Sequence, residues 1–395
     1  MTGPPGNIGR GALALALAAV VVGCSSGGGR QDELSRWRRD DVFAHPDVVE
    51  YDRVAVAADG QRIAWLTRAP GSTDALAVGV WAQHDELGPT RFELTTVDEP
   101  LVVPAAAAMD AEGWTAVATI HDDDGIRSSE LVAWDGASSD DVEPVTLDAP
   151  AGHVFTGDVS AARFDGRAVV AASTGEEPST VGLPLPSASF VWTSTGSGQW
   201  DQAPLELGGG GALADMTLIA DGTRFVVAGI APNDRPVVFV SSDAQSWDEL
   251  TATDLPETVE GLDLVTAIGD GTALIGWVTE PSGGTVEVWQ LAGPELTAVG
   301  PLAAADDIAS VSLYAAAVHD EQILVGGWAR RPNGLVPMLW AWDDDEWRPS
   351  EQPELTGRLD WRLVALGPDD ADGLRALLVT PFHIDVETWI WSNPD

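Results

Sequence analysis

The chain has 395 residues, with 62 Asp and Glu against 20 basic residues, all of them Arg, for a formal net charge of −42. That charge repels a phosphate backbone, which excludes sequence-independent nucleic-acid binding, and it suits solubility on a crowded exterior. Apolar residues make up 45% of the chain, enough for a packed core, and the lone cysteine excludes an intrachain disulfide, so stability must come from burial.

The first segment reads as a targeting sequence. Arg10 is the only charged residue before position 30, and Gly11–Val22 is a run of small and apolar residues. Twelve such residues are too few to span a bilayer and match the length of a signal h-region. The sequence Val21-Val22-Gly23-Cys24 follows, and it resembles a bacterial lipobox. The resemblance implies cleavage before Cys24, diacylglyceryl transfer to it and acylation of the new amino terminus. Two or more acyl chains anchor stably. The expected address is therefore the outer face of the cytoplasmic membrane, held by membrane lipid through Cys24. Residues 1–23 are then signal peptide and 24–40 a tether.

Gly and Ser make the first part of that tether flexible. Its second part carries Arg36, Trp37, Arg38 and Arg39. Two readings of it stand: contact with anionic headgroups, or a short turn docked on the domain or left disordered. Nothing later in the chain is long and apolar enough for a transmembrane helix.

From residue 51 onward one module recurs seven times. Turn glycines fall at Gly60, Gly113, Gly166, Gly222, Gly271 and Gly373, and Glu321 takes that place in the sixth copy. The steps between them run from 49 to 56 residues, a period that signals a repeat architecture. Each copy reads as four strands. The first gives Asp52–Ala57, Arg62–Thr67, Leu76–Ala82 and Thr90–Val97. The third gives Asp158–Phe164, Arg167–Ser173, Ser189–Thr193 and Trp200–Leu207. The fourth gives Asp215–Ile219, Arg224–Ile230, Pro236–Ser241 and Trp247–Thr253. Second and third strands are near-continuous apolar runs, as strands buried on both faces require.

The predicted fold is all-β: a seven-bladed β-propeller of four-stranded antiparallel blades over residues 41–395. A β-sandwich array would need linkers and caps that are not found. The last copy offers Arg362–Leu366, Leu374–Thr380 and Val386–Ser392 but no fourth strand. Asp41–Glu50 is strand-like and belongs to no copy. It is predicted to close the ring as the outer strand of the last blade, with residues 42–50 beside Val386–Ser392. Pro46 is tolerable there, because an outer strand has one unpaired side.

Third strands share an aromatic at Trp81, Trp134, Trp192, Phe239, Trp289, Trp340 and Trp389, a stripe expected in the core. Ser241, Asp243 and Trp247 lie in a loop that resembles a degenerate Asp-box (BNR) motif of sialidase-like propellers, one position tighter than the full pattern. In that family the motif is a structural hairpin, so the resemblance speaks to fold. Catalytic members of the family use a tyrosine nucleophile with a glutamate, an arginine triad and an aspartate acid/base. Only Tyr51 and Tyr314 are present, and spacing assigns no Arg cluster to Tyr314. No catalytic residue and no metal site is therefore assigned. No cofactor is expected, although the acidic loops His121–Gly125 and Asp369–Gly373 carry oxygen ligands of the kind calcium takes.

Ligands of propellers usually meet the loops on one face. That face is expected to receive Arg68, Glu176, Glu177, Arg235, Arg330, Arg331, Asn333 and His383, with Tyr314 on an inner strand nearby. Paired guanidinium groups such as Arg330-Arg331 suit a carboxylate or phosphate. Salt bridges to neighbouring acids are the competing reading. The expected function is non-catalytic binding or scaffolding at the bacterial cell envelope, by a monomer, with a protein or glycan partner. A sialidase-like glycan-processing enzyme is the alternative.

Overall fold

The computed structural model describes residues 37–44, 55–58, 62–68, 76–82, 90–93, 102–110, 112–121, 128–136, 143–176, 185–194, 198–250, 255–269, 271–279, 285–303, 310–319, 322–331, 334–343, 346–349, 362–368, 374–379 and 385–391, with side chains described between 103 and 348.

Strand follows strand throughout the described residues. The series opens with β1 (Trp37–Ala44), β2 (Ala55–Ala58), β3 (Arg62–Arg68), β4 (Leu76–Ala82) and β5 (Thr90–Glu93). It continues with β6 (Val102–Met109), β7 (Trp114–His121), β8 (Ser128–Gly136) and β9 (Val145–Asp148). Next come β10 (His153–Phe164), β11 (Arg167–Glu176), β12 (Pro186–Ser194) and β13 (Trp200–Leu205), then β14 (Ala214–Ala220), β15 (Phe225–Ile230), β16 (Pro236–Ser241) and β17 (Asp248–Glu249). The remainder are β18 (Gly261–Gly269), β19 (Thr272–Val278), β20 (Thr285–Ala292), β21 (Glu295–Ala303), β22 (Ser310–His319), β23 (Gln322–Arg331), β24 (Gly334–Asp343), β25 (Glu346–Pro349), β26 (Arg362–Pro368), β27 (Leu374–Val379) and β28 (Asp385–Trp391).

Sequential strands pair antiparallel. Four sheets hold four consecutive strands each: β2–β5, β14–β17, β18–β21 and β22–β25. The strands β6–β13 form one eight-stranded sheet, whose two four-stranded halves meet at a single pair, Phe155↔Ser128. The last sheet has the order β1-β28-β27-β26. Its N-terminal strand runs antiparallel to β28, from Trp37↔Trp391 to Ala44↔Asp385.

That last pairing joins the two segments predicted to meet, but with a shifted boundary. The pairing strand is Trp37–Ala44, not residues 42–50, of which 45–50 lie outside the described residues. Trp37, Arg38 and Arg39, placed by sequence in the tether, belong to the strand. A segment that ends before Pro46 keeps every backbone N–H available, and an edge strand tolerates charge.

The apolar runs behave as strands covered on both faces. Residues of β11 between its two ends are all buried, as is all of β15. Neighbouring residues then serve different interfaces. Val227 joins Val169, Leu213 and Phe239 in the core toward β10–β13, while Val226 joins Val238, Ile275 and Trp277 in the core toward β18–β21. A third core holds Leu264, Val288, Leu313 and Trp340, between β18–β21 and β22–β25. First strands touch in series: β2 with β6, then β6, β10, β14, β18, β22 and β26 in turn. The aromatic stripe is core where its side chains are described: Trp134, Trp192, Phe239, Trp289 and Trp340 are buried.

The turn chemistry agrees with the repeat. Phe164 pairs with Arg167 across a two-residue turn whose Asp165 and Gly166 both have positive φ, 53° and 68°. Such a turn matches the twist of a hairpin and favours Asp-Gly. In the Asp-box-like loop, Asp243 Oδ1 accepts from the backbone N–H of Gln245 and Ser246 and from Ser241 Oγ, at 2.8–3.0 Å. Trp247 Nε1 donates to the Ala244 carbonyl at 3.3 Å, closing the β16–β17 connection as a structural hairpin.

Candidate functional site

A bulge interrupts the first strand of most sheets near its start. Register shifts between Pro104 and Ala106, Phe155 and Val159, Ala214 and Thr217, Leu262 and Leu264, Leu313 and Ala315, and Leu363 and Ala365. One extra residue is left unpaired at each, two between Phe155 and Val159, and bulges of this kind turn a side chain away from the regular pleat. The extra residues include Asp215, Asp263 and Tyr314. These three recur at the spacing of the repeat, so equivalent positions carry different polar groups.

Three sheets bring these bulges side by side. A Cβ on Gly261 would lie 3.8 Å from Asp215 Oδ2, which puts the start of β18 against the bulge of β14. Asp263 Oδ2 accepts from the Leu313 backbone N–H at 2.9 Å, joining β18 to β22. Burial pushes the Asp263 carboxyl up to about 6, against the opposing pull of the Leu313 N–H and the Ser312 hydroxyl. A Ser performs a similar service two interfaces earlier, between β10 and β14: Ser160 Oγ meets both the N–H and the carbonyl of Leu218. Side chains of one sheet therefore occupy the free backbone groups on the first strand of the next, which have no ladder partner of their own.

Tyr314 stands at this edge, with 38% of its surface exposed. Its hydroxyl accepts a hydrogen bond from Trp328 Nε1 at 2.9 Å. Trp328 pairs with Ser312, and Arg330, exposed, pairs with Ser310 at the same end of the sheet. The arrangement offers an oriented phenol, an indole and a guanidinium within five residues of strand. It can hydrogen-bond a hydroxylated or anionic ligand and stack against it. The indole N–H is a donor only, so it cannot take the phenolic proton.

The other expected face residues are distributed around the sheets. Arg68 ends β3, Glu176 ends β11 and Arg331 ends β23, each at the edge from which the first strand of its sheet starts. Glu176 is exposed and pairs with His153. Arg235 lies in the β15–β16 turn on that edge, where its Nη1 donates to Glu249 Oε1 at 2.9 Å and ties the turn to β17, with 38% of its side chain exposed. Glu177, Asn333 and His383 lie outside the described residues, as do Val21, Val22, Gly23 and Cys24, the loop Asp122–Gly125 and the loop 369–373. Among the described residues no group of three or more His, Cys, Asp or Glu could hold a metal ion, and no helix is long and apolar enough to cross a membrane.

Sequence reasoning singled out Tyr314 and Arg330 but missed Trp328, Asp263 and Asp215. A signal for Asp263 was present in "GLDLVTAI", where one carboxylate interrupts an otherwise apolar strand. Trp328 directly precedes Ala329 and the arginine pair, so it shares the strand end with them.

No protein-family model matches the chain, and no curated protein matches it. Solved structures do. The uncomplexed acylaminoacyl peptidase of Pyrococcus horikoshii is 12% identical, with a TM-score of 0.48 over 86% of this chain and 51% of that one. The β-propeller domain of the Trilobed protease of Pyrococcus furiosus is 12% identical, with a TM-score of 0.48 over 88% of this chain and 94% of that one. The Trypanosoma rangeli sialidase in complex with the inhibitor DANA is 11% identical, with a TM-score of 0.44 over 78% of this chain and 60% of that one. The chain thus spans about half the length of that peptidase and three fifths of that sialidase.

Proposed function

We propose that this chain is an exported, lipid-anchored binding protein of the bacterial envelope. Its seven four-stranded units are the blades of a propeller, and β1 closes the ring by completing the last blade. Cys24 carries the lipid. The ligand edge is the one at which the first strands start, around Tyr314, Trp328 and Arg330. The partner is an envelope glycan or protein that presents a carboxylate or phosphate to Arg330 and Arg331, with Tyr314 stacking beside it.

One observation carries this choice of edge. Tyr314 is exposed yet oriented, because Trp328 Nε1 donates to its hydroxyl. An oriented aromatic on a rigid strand loses little freedom on binding, which is how binding sites gain affinity. The bond itself supplies no base to the phenol, because an indole N–H only donates.

Crosslinking of the full chain in its own cells, with identification of the captured species by mass spectrometry, tests the proposal. Arg330→Ala and Tyr314→Phe are expected to lose the capture while remaining in the membrane fraction. Cys24→Ser is expected to leave that fraction and to take up no radiolabelled palmitate. Capture that persists in both edge variants removes this edge as the site. Palmitate labelling that persists in Cys24→Ser removes the anchor.

A further inference from the structure

A cleft of about 320 Å³ opens between the sheets β18–β21 and β22–β25. Thr297 and Gly300 on β21, Gln290 on β20, Ile323 on β23 and Trp342 on β24 line it. Thr297, Ile323 and Trp342 each sit within three residues of a hairpin end, so the cleft lies at the edge of these sheets opposite to Tyr314 and Arg330. In a chain with 62 carboxylates, none of the described lining residues is charged.

The indole in this cleft is held from several sides. Trp342 lies against Gly300, where an added Cβ would come 2.8 Å from its Cη2 atom. Gly300 has a φ of 135°, a conformation that side-chain-bearing residues rarely adopt, so glycine is required both for shape and for space. The register shifts at this point, with Val288 paired to Gly300 and Trp289 to Ala298, so a bulge brings the backbone under the ring. Trp347 packs on Trp342 with ring centroids 5.1 Å apart, and its Nε1 donates to the Gly300 carbonyl at 3.2 Å. The Thr297 hydroxyl is exposed and leans on the Gln290 carbonyl, and the Gln290 carboxamide is half-buried beside it.

We propose that this cleft binds a neutral pyranose. A fixed indole face receives the apolar C–H face of a sugar ring, while a carboxamide and a hydroxyl meet its hydroxyl groups. The volume is at the lower end for small-ligand sites, which suits one or two rings. The described lining residues offer a ligand hydrogen bonds and ring contact but no ion pair, and the net charge of the chain disfavours an acidic sugar there.

Saturation-transfer NMR on the full chain, in a detergent without a sugar headgroup, provides the test. The probes are methyl glucoside, methyl mannoside, methyl galactoside and methyl glucuronide. At least one neutral glycoside is expected to receive transfer, with the glucuronide weaker. Gln290→Ala is expected to weaken binding about three- to tenfold, the worth of one neutral hydrogen bond. Trp342→Leu is expected to abolish it. Because Trp342→Leu could disturb the fold, the half-buried Gln290→Ala and exposed Thr297→Ala variants carry the decision, with circular dichroism confirming their structure. Arg330→Ala is expected to leave binding unchanged, so a failure at the other edge is distinguishable. No transfer to any neutral glycoside, equal transfer to the glucuronide, or affinity unchanged in Gln290→Ala and Thr297→Ala overturns the proposal.

Discussion

The Asp263 carboxylate on β18 accepts a hydrogen bond from the backbone N–H of Leu313 on β22, 2.9 Å away, across the boundary between two sheets. The bond satisfies a strand-edge donor, yet it places a carboxyl where burial raises its pKa from 3.8 to about 6. The native state then holds a proton that the unfolded chain has already released. Stability contributed by this group is therefore greatest below about pH 4 and falls as pH rises through 6.

The consequence is a pH-dependent gain on removing the charge. Asp263→Asn keeps an acceptor for Leu313 and is expected to stabilise the protein by about 2–3 kcal/mol at pH 7.5, because the buried carboxyl must ionise there despite a pKa raised to about 6. The gain is expected to vanish near pH 4. Urea unfolding midpoints of wild type and variant, taken from pH 4 to 8, check it. A difference that does not change with pH in that range contradicts the assignment.

Asp243 behaves in the opposite sense. Its carboxyl is lowered to about 2, chiefly by the Ser246 and then the Gln245 backbone N–H groups. Its contribution is present above pH 4 and is lost as pH falls toward 2. The site is open to solvent, so the effect is small. Asp243→Ala is expected to cost about 1 kcal/mol at pH 7, as for other side chains that cap backbone donors, and less near pH 2. Thermal unfolding of the variant at both pH values measures this.

Arg163 on β10 is buried and ties two four-stranded units together. Its guanidinium meets Asp110 at 3.3 Å, Thr115 Oγ1 at 2.9 Å and the Asp135 carboxylate, while Gly166 N donates to Asp110 Oδ2 at 3.0 Å. Arg163→Met would leave two carboxylates without their cation. We expect a loss of about 3–5 kcal/mol. Arg348→Ala, which breaks an exposed pair with Glu346, is expected to cost less than about 1 kcal/mol. Denaturant midpoints of the two variants should differ accordingly. Equal midpoints would show that Arg163 is no more than a surface ion.

Gly327 marks a close approach of two strands. A Cβ there would strike the Ser312 carbonyl oxygen and lie 2.9 Å from Leu313 Cα, both of them backbone atoms that cannot swing aside. Gly327→Ala is expected to destabilise by about 2–3 kcal/mol, the cost of forced overpacking. Gly209→Ala, where a Cβ meets nothing within 4 Å, is the control and should be near neutral. Retained wild-type stability in Gly327→Ala would rule out this approach.

Sheet formation was legible because it rests on local rules. Pro236–Ser241 is a strand with the predicted ends, and Gly166 sits in the predicted turn. Burial of Trp134 and Phe239 followed from their place in the apolar runs. The site was legible only in part. Tyr314 and Arg330 were visible as rare residue types in a chain with two tyrosines and 20 arginines. The ion pair of Arg235 was not legible, because its partner Glu249 lies across a sheet rather than nearby in sequence. Two residues that matter most to the edge, Asp263 and Trp328, act through partners 50 and 14 residues away.

What the sequence alone determined is the unit: a period of about fifty residues, Asp-Gly turns, apolar runs and a core aromatic. Each of these depends on neighbours a few positions apart, so a linear reading can find it. Only the tertiary structure decided how units meet. The bulges that turn Tyr314 and Asp263 out of the regular pleat come from pairing register, the Asp263–Leu313 bond from the packing of one sheet on the next, and the β1–β28 pairing from 391 falling opposite 37. These are contacts between segments that the repeat makes equivalent. The period by itself cannot say which copy carries a carboxylate into its neighbour, because that depends on two sheets held face to face.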